Sequence, residues 1–308
     1  MKRFDMKVLV LIMGARNTLS EKNIQEMKNT FITDAINDTT LKNEYTFAYY
    51  DGGWEYEKID EEDGLFHIRT IANDDVHSTF EKTMFAFELS LQKFEFDVLV
   101  RINISSYINI RLLDSCIDTI DTKCIYANKL LVVTSDPTHP NFLAPRGDFF
   151  MTGRDVIKGI LEHEVIDRNR ILDHVDDVLI GCAFAEYVGN SSYVDRLKQI
   201  QYCYLPHVYS DPSKSFVISD KTIDGNICYR LKTVPPNEKV SGYSWDYNKY
   251  RDCDVIKMKK LHEIIKDKTY SKSNISRFVI DEKSIPCVGV QYVETTIGSI
   301  KNFIKKVG

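Results

Sequence analysis

The chain has 308 residues, 43% of them hydrophobic and 28% charged, with a formal net charge of -5. That length allows one large core or two domains, while the acidic balance and the lack of a Lys/Arg block argue against nucleic acid as a partner. No stretch reaches the roughly 20 apolar residues that span a bilayer. The seven cysteines form no Cys-x-x-Cys pair, which argues against a structural zinc site and for buried thiols in a reducing compartment.

In chain order, the charged start leads into a short apolar run, Val8 to Met13. It is too short for a signal sequence and lacks a small-residue cleavage site. It reads instead as a core strand over 7–13, apolar throughout because both faces are covered. Gly14-Ala15-Arg16-Asn17-Thr18 breaks the run, and Ser20 is expected to cap a helix whose apolar face carries Ile24, Met27, Phe31 and Ile32. A second strand is predicted over 44–50 and ends at the turn Asp51-Gly52-Gly53. A third is predicted over 65–71, a long helix over 78–94 with Phe80, Met84, Phe87 and Leu91 in register, and a fourth strand over 96–102.

The alternation predicts an α/β fold: a single Rossmann-like, mainly parallel sheet flanked by helices. Further along, the pattern predicts a helix over 109–120, a strand over 129–134, a short strand over 149–152, and helices over 155–164, 177–187 and 254–265. Residues 200–244 read as mixed short strands and loops. The terminal stretch around Ile297, Ile300, Phe303 and Ile304 is amphipathic. It is expected to pack on the core, with peripheral membrane contact as the other reading.

Ligands of open α/β sheets bind beyond the carboxyl ends of the strands. This singles out Gly14, Ala15 and Arg16 after the first strand, and Asp51 and Asp75 at other strand ends. It also singles out Arg101, Asn103 and Ser105 around the end of the fourth. Arg101 is a cation that could offset phosphate charge or be an ordinary strand-edge residue. Asn103 could bind a ligand or cap the next helix. Gly147 and Asp148 open a strand–turn–helix junction in which Thr152 or Asp155 could cap the helix. Asp176 and Asp177 precede an apolar run; one carboxylate there could act as a general base, or both could be helix N-terminal acids. Lys82 faces either a ligand or solvent. His207 is the residue considered for a metal, against a solvated loop histidine.

Five blocks in order resemble the fringe-like β-1,3-glycosyltransferase family and its bacterial and giant-virus relatives, over roughly 5–190. Met27-Lys28-Asn29-Thr30-Phe31 is similar to its opening Arg-x-Thr-Trp region. Asp75 with Phe80-Glu81-Lys82-Thr83 resembles its Leu-x-Leu-Lys-Thr block. Val98 to Ser105 resembles the strand bearing its metal motif, Gly147 to Val156 its Gly-x-Gly-Tyr block, and Asp176 to Gly181 its Glu-Asp-Val block.

The resemblance implies a GT-A glycosyltransferase. The donor would be a nucleotide-diphosphate sugar, UDP-sugar favoured, and the acceptor a glycan or other hydroxyl. The reaction would invert the anomeric centre, with Asp177 as base. It implies a domain over 1–270, split at about 105 into a nucleotide-sugar half and an acceptor half, with an extension over 271–308. Asn103-Ile104-Ser105 stands in the Asp-x-Asp place, so Mn2+ or Mg2+ use and metal independence are both open. In a metal-free reading, Arg101, Arg230 or Arg251 would stabilise the diphosphate. The competing readings are a non-catalytic nucleotide-sugar-binding module and a nucleotidyltransferase. The expected location is the cytoplasm, of a bacterium or a virus-infected host.

Overall fold

The computed structural model describes residues 5–75, 78–128, 130–133, 142–163, 176–199, 203–204, 226–231 and 252–266. The strands are β1 (Lys7–Met13), β2 (Glu44–Asp51), β3 (Lys58–Glu62), β4 (Leu65–Arg69), β5 (Val98–Asn103), β6 (Ser106–Ile108) and β7 (Ile125–Ala127). They continue with β8 (Leu130–Val133), β9 (Phe142–Pro145), β10 (Phe149–Gly153), β11 (Leu197–Gln199), β12 (Cys203–Tyr204) and β13 (Cys228–Arg230). The helices are α1 (Thr18–Met27), α2 (Thr33–Asn37), α3 (Thr79–Lys93), α4 (Ile110–Ile117), α5 (Arg154–Glu162), α6 (Asp176–Val188), α7 (Asn190–Arg196) and α8 (Asp252–Ile265). The expected extension over 271–308 lies outside the described residues, as do His207 and Arg251.

A mixed α/β architecture results. Its central sheet has eight strands in the order β11-β7-β10-β5-β1-β2-β4-β3. Neighbours β5, β1, β2 and β4 are mutually parallel, while β10 and β3 run against them. Strands β6, β12 and β13 form a small second sheet, and β8 pairs with β9.

The apolar alternation of β1 explains its depth. Val8, Val10 and Ile12 enter one buried cluster with Met27, Phe31 and Leu261, and Leu9 and Leu11 enter the other with Phe87, Ile157 and Phe184. Both faces are thus covered by helices, and each such buried side chain contributes roughly 1.5–3 kcal/mol.

The first helix is not continuous. Asn17, rather than Ser20, caps it by accepting from the Ser20 amide at 2.9 Å, and Ser20 Oγ accepts from the Ala15 amide. The helix then passes through a π-helical turn, Lys28–Ile32, before α2. Inside that turn Thr30 leaves helical geometry, and its Oγ1 donates to the Glu26 carbonyl at 2.6 Å; such back-bonding by threonine bends helices.

Strand β3 was not read from the sequence, although Asp63-Gly64 is the signal for it. Both residues have positive φ, 52° and 75°, as a two-residue hairpin loop requires. Asp254 lies inside α8, fully buried.

From β1 the chain steps through β2 to β4, then returns over α3 to place β5 on the opposite side of β1. The switch in direction therefore falls between β1 and β5, with Met13 opposite Asn103 at their carboxyl ends. Ligand crevices of open α/β sheets form at such a point. Because β10 runs antiparallel to β5, with Phe149 opposite Ile102, the residue preceding β10 comes to the same edge. That residue is Asp148.

Candidate functional site

At the carboxyl end of β1, the three amides that follow the strand are all engaged within the protein. Gly14 donates to the Tyr50 carbonyl at 2.8 Å, Ala15 to Ser20 Oγ at 3.1 Å, and Arg16 to Asp74. A phosphate-cradling loop needs such amides aimed at the ligand, so this loop offers shape and the Arg16 side chain instead. Arg16 is exposed, its guanidinium lies 4.2 Å from the Trp54 ring centre, and it donates to the Gly53 carbonyl.

Lys82 is inward-facing, not a helix-surface lysine. It is 3% exposed, and Nζ donates to the Gly14 carbonyl at 2.9 Å and to Asp74 Oδ1 at 2.7 Å. Asp74, which sequence reasoning passed over, thereby joins α3, the β1 loop and the Gly52 amide at 3.2 Å. Its neighbour Asp75 is exposed and accepts from the Ser78 amide at the start of α3.

Asp51 lies 5% exposed at the end of β2. Its Oδ1 accepts from Trp54 Nε1 at 2.5 Å and sits 2.9 Å from His67 Nε2. The imidazole stacks on Tyr49 at 4.0 Å between ring centres, and a second guanidinium, Arg69, covers Trp54 at 4.2 Å. Trp54 is therefore pinned by Asp51 below and flanked by two cations, each geometry favourable for an indole. No sequence motif marks this cluster; only the turn glycines before Trp54 hint at it.

On the β5 side, Arg101 differs from both expectations. It has no exposed surface. Nε lies 3.3 Å from Tyr50 Oη, Nη2 2.9 Å from Met13 Sδ, and Nη1 donates to the Gly147 carbonyl. It is a buried strut linking β1, β2 and the Gly147 turn.

Asn103 does not cap the following helix; Asn109 does, through the Leu112 amide at 3.3 Å. Asn103 Oδ1 instead lies 3.5 Å from Ser105 Oγ and 3.2 Å from Ser106 Oγ, and Ser106 Oγ lies 3.0 Å from the Asp148 carbonyl. Ser105 is buried, and its carbonyl accepts from the Leu231 amide. Ser106 was missed because, as the second of two adjacent serines leading into Tyr107 and Ile108, it looks like ordinary strand filler.

The Gly147–Asp148 turn is the meeting point. A Cβ on Gly147 would collide with both Asp177 Oδ1 and Arg101 Nη1. Asp177 is half-buried in the first turn of α6. Asp176 opens the same helix, and its side chain lies outside what the structure describes. Asp148 is 3% exposed, with Arg146 Nε 3.5 Å from Oδ1. Arg230 pairs with Ser106 across β13 and β6, which puts both side chains on one face of the small sheet. Neither Thr152 nor Asp155 caps α5: Gly153 holds that place, and Thr152 Oγ1 donates to the Cys124 carbonyl.

Hard divalent cations take several oxygen ligands, carboxylates first. Asn103 and Ser105 offer neutral oxygens, Asp148 already carries an arginine, and no group of three His, Cys, Asp or Glu gathers among the described residues. The described side chains do not by themselves fit a metal. Among them, no helix is long and apolar enough to cross a membrane.

No protein-family model matches the chain, and no curated protein matches it. Among solved structures it is similar to a glycosyltransferase involved in the glycosylation of the major capsid of the virus PBCV-1. Identity there is 10% over 80% of this chain and 98% of that one, with a TM-score of 0.41. It is also similar to the mannosyltransferase PcManGT from Pyrobaculum calidifontis, in complex with GDP-Man and Mn2+. Identity is 11% over 65% of this chain and a TM-score of 0.33, and the match spans 56% of that chain's length.

Proposed function

We propose that this chain is a GT-A glycosyltransferase of fringe-like descent that moves a sugar from a nucleotide-diphosphate donor, UDP-sugar favoured, to a hydroxyl acceptor with inversion. The observation that carries the reading is the convergence of Asp177, Arg101 and the Asn103–Ser106 corner on the Gly147–Asp148 turn, at the switch point of the sheet. Those residues come from three separate stretches of sequence.

In this reading the nucleotide lies over the β1 loop, against Gly14, Ala15 and Arg16, with the Trp54 platform held by Asp51 beside it. Arg16 and Arg230 face the diphosphate and offset the charge that grows as it leaves. Asp177 takes the proton of the acceptor hydroxyl while that oxygen attacks the anomeric carbon, and the bond from that carbon to the phosphate oxygen breaks. Arg101 acts through Asp177 and Gly147, fixing their positions from below. The engaged amides after β1 speak against a nucleotidyltransferase, which would need them for phosphate.

A thermal-shift screen against UDP-, GDP-, TDP- and CMP-sugars, with and without manganese, tests the donor and the metal together. Stabilisation by a diphosphonucleotide sugar is expected, and no shift with any nucleotide overturns the reading. Product formation that survives Asp177→Ala would remove the base assignment. Binding without turnover, unchanged by that substitution, would make the chain a binding module.

A further inference from the structure

Asp148 is a carboxylate out of keeping with its surroundings. Both of its oxygens are buried, and neither accepts a hydrogen bond from the described residues. Among the described residues its partner is the Arg146 guanidinium, at ion-pair distance on Oδ1. A buried carboxylate left without donors is destabilising, and such a group calls for a partner from outside the chain: a ligand, an ion or an ordered water. Its position is not incidental: it precedes β10, opposite the end of β5, and adjoins the glycine on which Arg101 and Asp177 close.

The chemistry of this carboxylate narrows what completes it. A diphosphate would be repelled by it. A further cation is not called for, since Arg146 already offsets its charge. What it lacks is donors: an ionised carboxylate accepts about four hydrogen bonds, and a sugar ring supplies neutral hydroxyls at that spacing. We infer that Asp148, held by Arg146, receives hydroxyl groups of the transferred sugar and sets which sugar the site accepts. The inference rests on the nucleotide-sugar reading above and adds the part of the donor that is recognised. Sites built to bond a hydroxyl reject analogues lacking it far more strongly than apolar pockets reject a missing methylene.

The test is calorimetric. Binding constants are measured for UDP, GDP, UDP-glucose, UDP-galactose, GDP-mannose and the monodeoxy analogues of each sugar, on the natural chain and on Asp148→Asn. The natural chain is expected to lose roughly 10- to 100-fold in affinity when one particular hydroxyl is removed. Asp148→Asn is expected to bring that ratio close to one, while the free nucleoside diphosphate binds as before. The inference is overturned if the variant keeps the discrimination, or if it weakens the free diphosphate to the same degree. Equal binding of all deoxy analogues by the natural chain overturns it as well, whether or not the variant folds. If no nucleotide binds the natural chain, the nucleotide-sugar reading fails first and this inference falls with it.

Discussion

Arg101 and Asp177 reach Gly147 from different elements, one from the buried middle of β5 and the other from the first turn of α6. Only a residue without a side chain can stand between them. The glycine is therefore a spacer whose size sets how a cation under the sheet approaches a carboxylate at its edge.

Gly147→Ala tests this spacing. The new methyl group would displace Asp177 Oδ1 and Arg101 Nη1, and Arg101 is enclosed on all sides. On the proposed function we expect turnover to fall by about 10²-fold, because small displacements of reacting groups are that costly. Circular dichroism should show the fold retained.

On the proposed function, Asp177→Asn keeps the shape and removes the base. The turnover number is expected to fall by roughly 10²- to 10⁴-fold, the usual contribution of a positioned base. Donor binding, measured by calorimetry, should stay within a few-fold of the natural chain.

Asp51 supports the Trp54 platform, so Asp51→Ala should act on stability before chemistry. Its removal strands the indole N–H and the imidazole of His67. Leaving buried donors unpaired costs about 1–3 kcal/mol. Urea unfolding followed by tryptophan fluorescence measures the loss; an unchanged midpoint would contradict the platform.

Alkaline pH should loosen the fold. Burial, with Glu186 nearby, pushes the Cys182 thiol from 9.0 up to about 12. Burial and the Asp51 charge raise the Tyr49 hydroxyl from 10.0 to about 12. Each group keeps its proton in the fold to higher pH than in the unfolded chain, so the unfolded chain releases it first. Their contribution to stability is whole below about pH 9 and lost as pH rises through about 12. A Tm series across that window should fall steadily, and at pH 8 iodoacetamide should alkylate Cys182 far more slowly in the native than in the unfolded chain.

Hydrophobic periodicity made the sheet legible. The apolar run of β1, the helical face of α3 and the short strand β10 fall within a residue or two of their expected bounds. Periodicity could not show the π-helical turn, which depends on a local threonine bond, or the hairpin β3, whose strand is polar because it lies at the sheet edge. Placement was legible where residues sit at strand ends: Gly14 follows β1, Asn103 closes β5, and Gly147 lies just ahead of β10. Partners such as Asp74 and Ser106 were not, because their roles come from contacts across 8 to 58 residues of sequence, which no local pattern records. The reversal of Lys82 and Arg101 from surface to interior has the same origin. Long cations are usually exposed, and only the folded chain shows which have partners inside.

The antiparallel course of β10 reverses where variation should matter. In a uniformly parallel sheet, residues that meet a ligand come after the strand, and an engineer would alter the connection that follows. Here the stretch after Gly153 leads into α5 on the far edge, and the stretch ahead of Phe149 is the one at the carboxyl end of β5. If the proposed function holds, libraries aimed at new donor preferences should be built on the residues entering that strand, and those leaving it can be held fixed as scaffold.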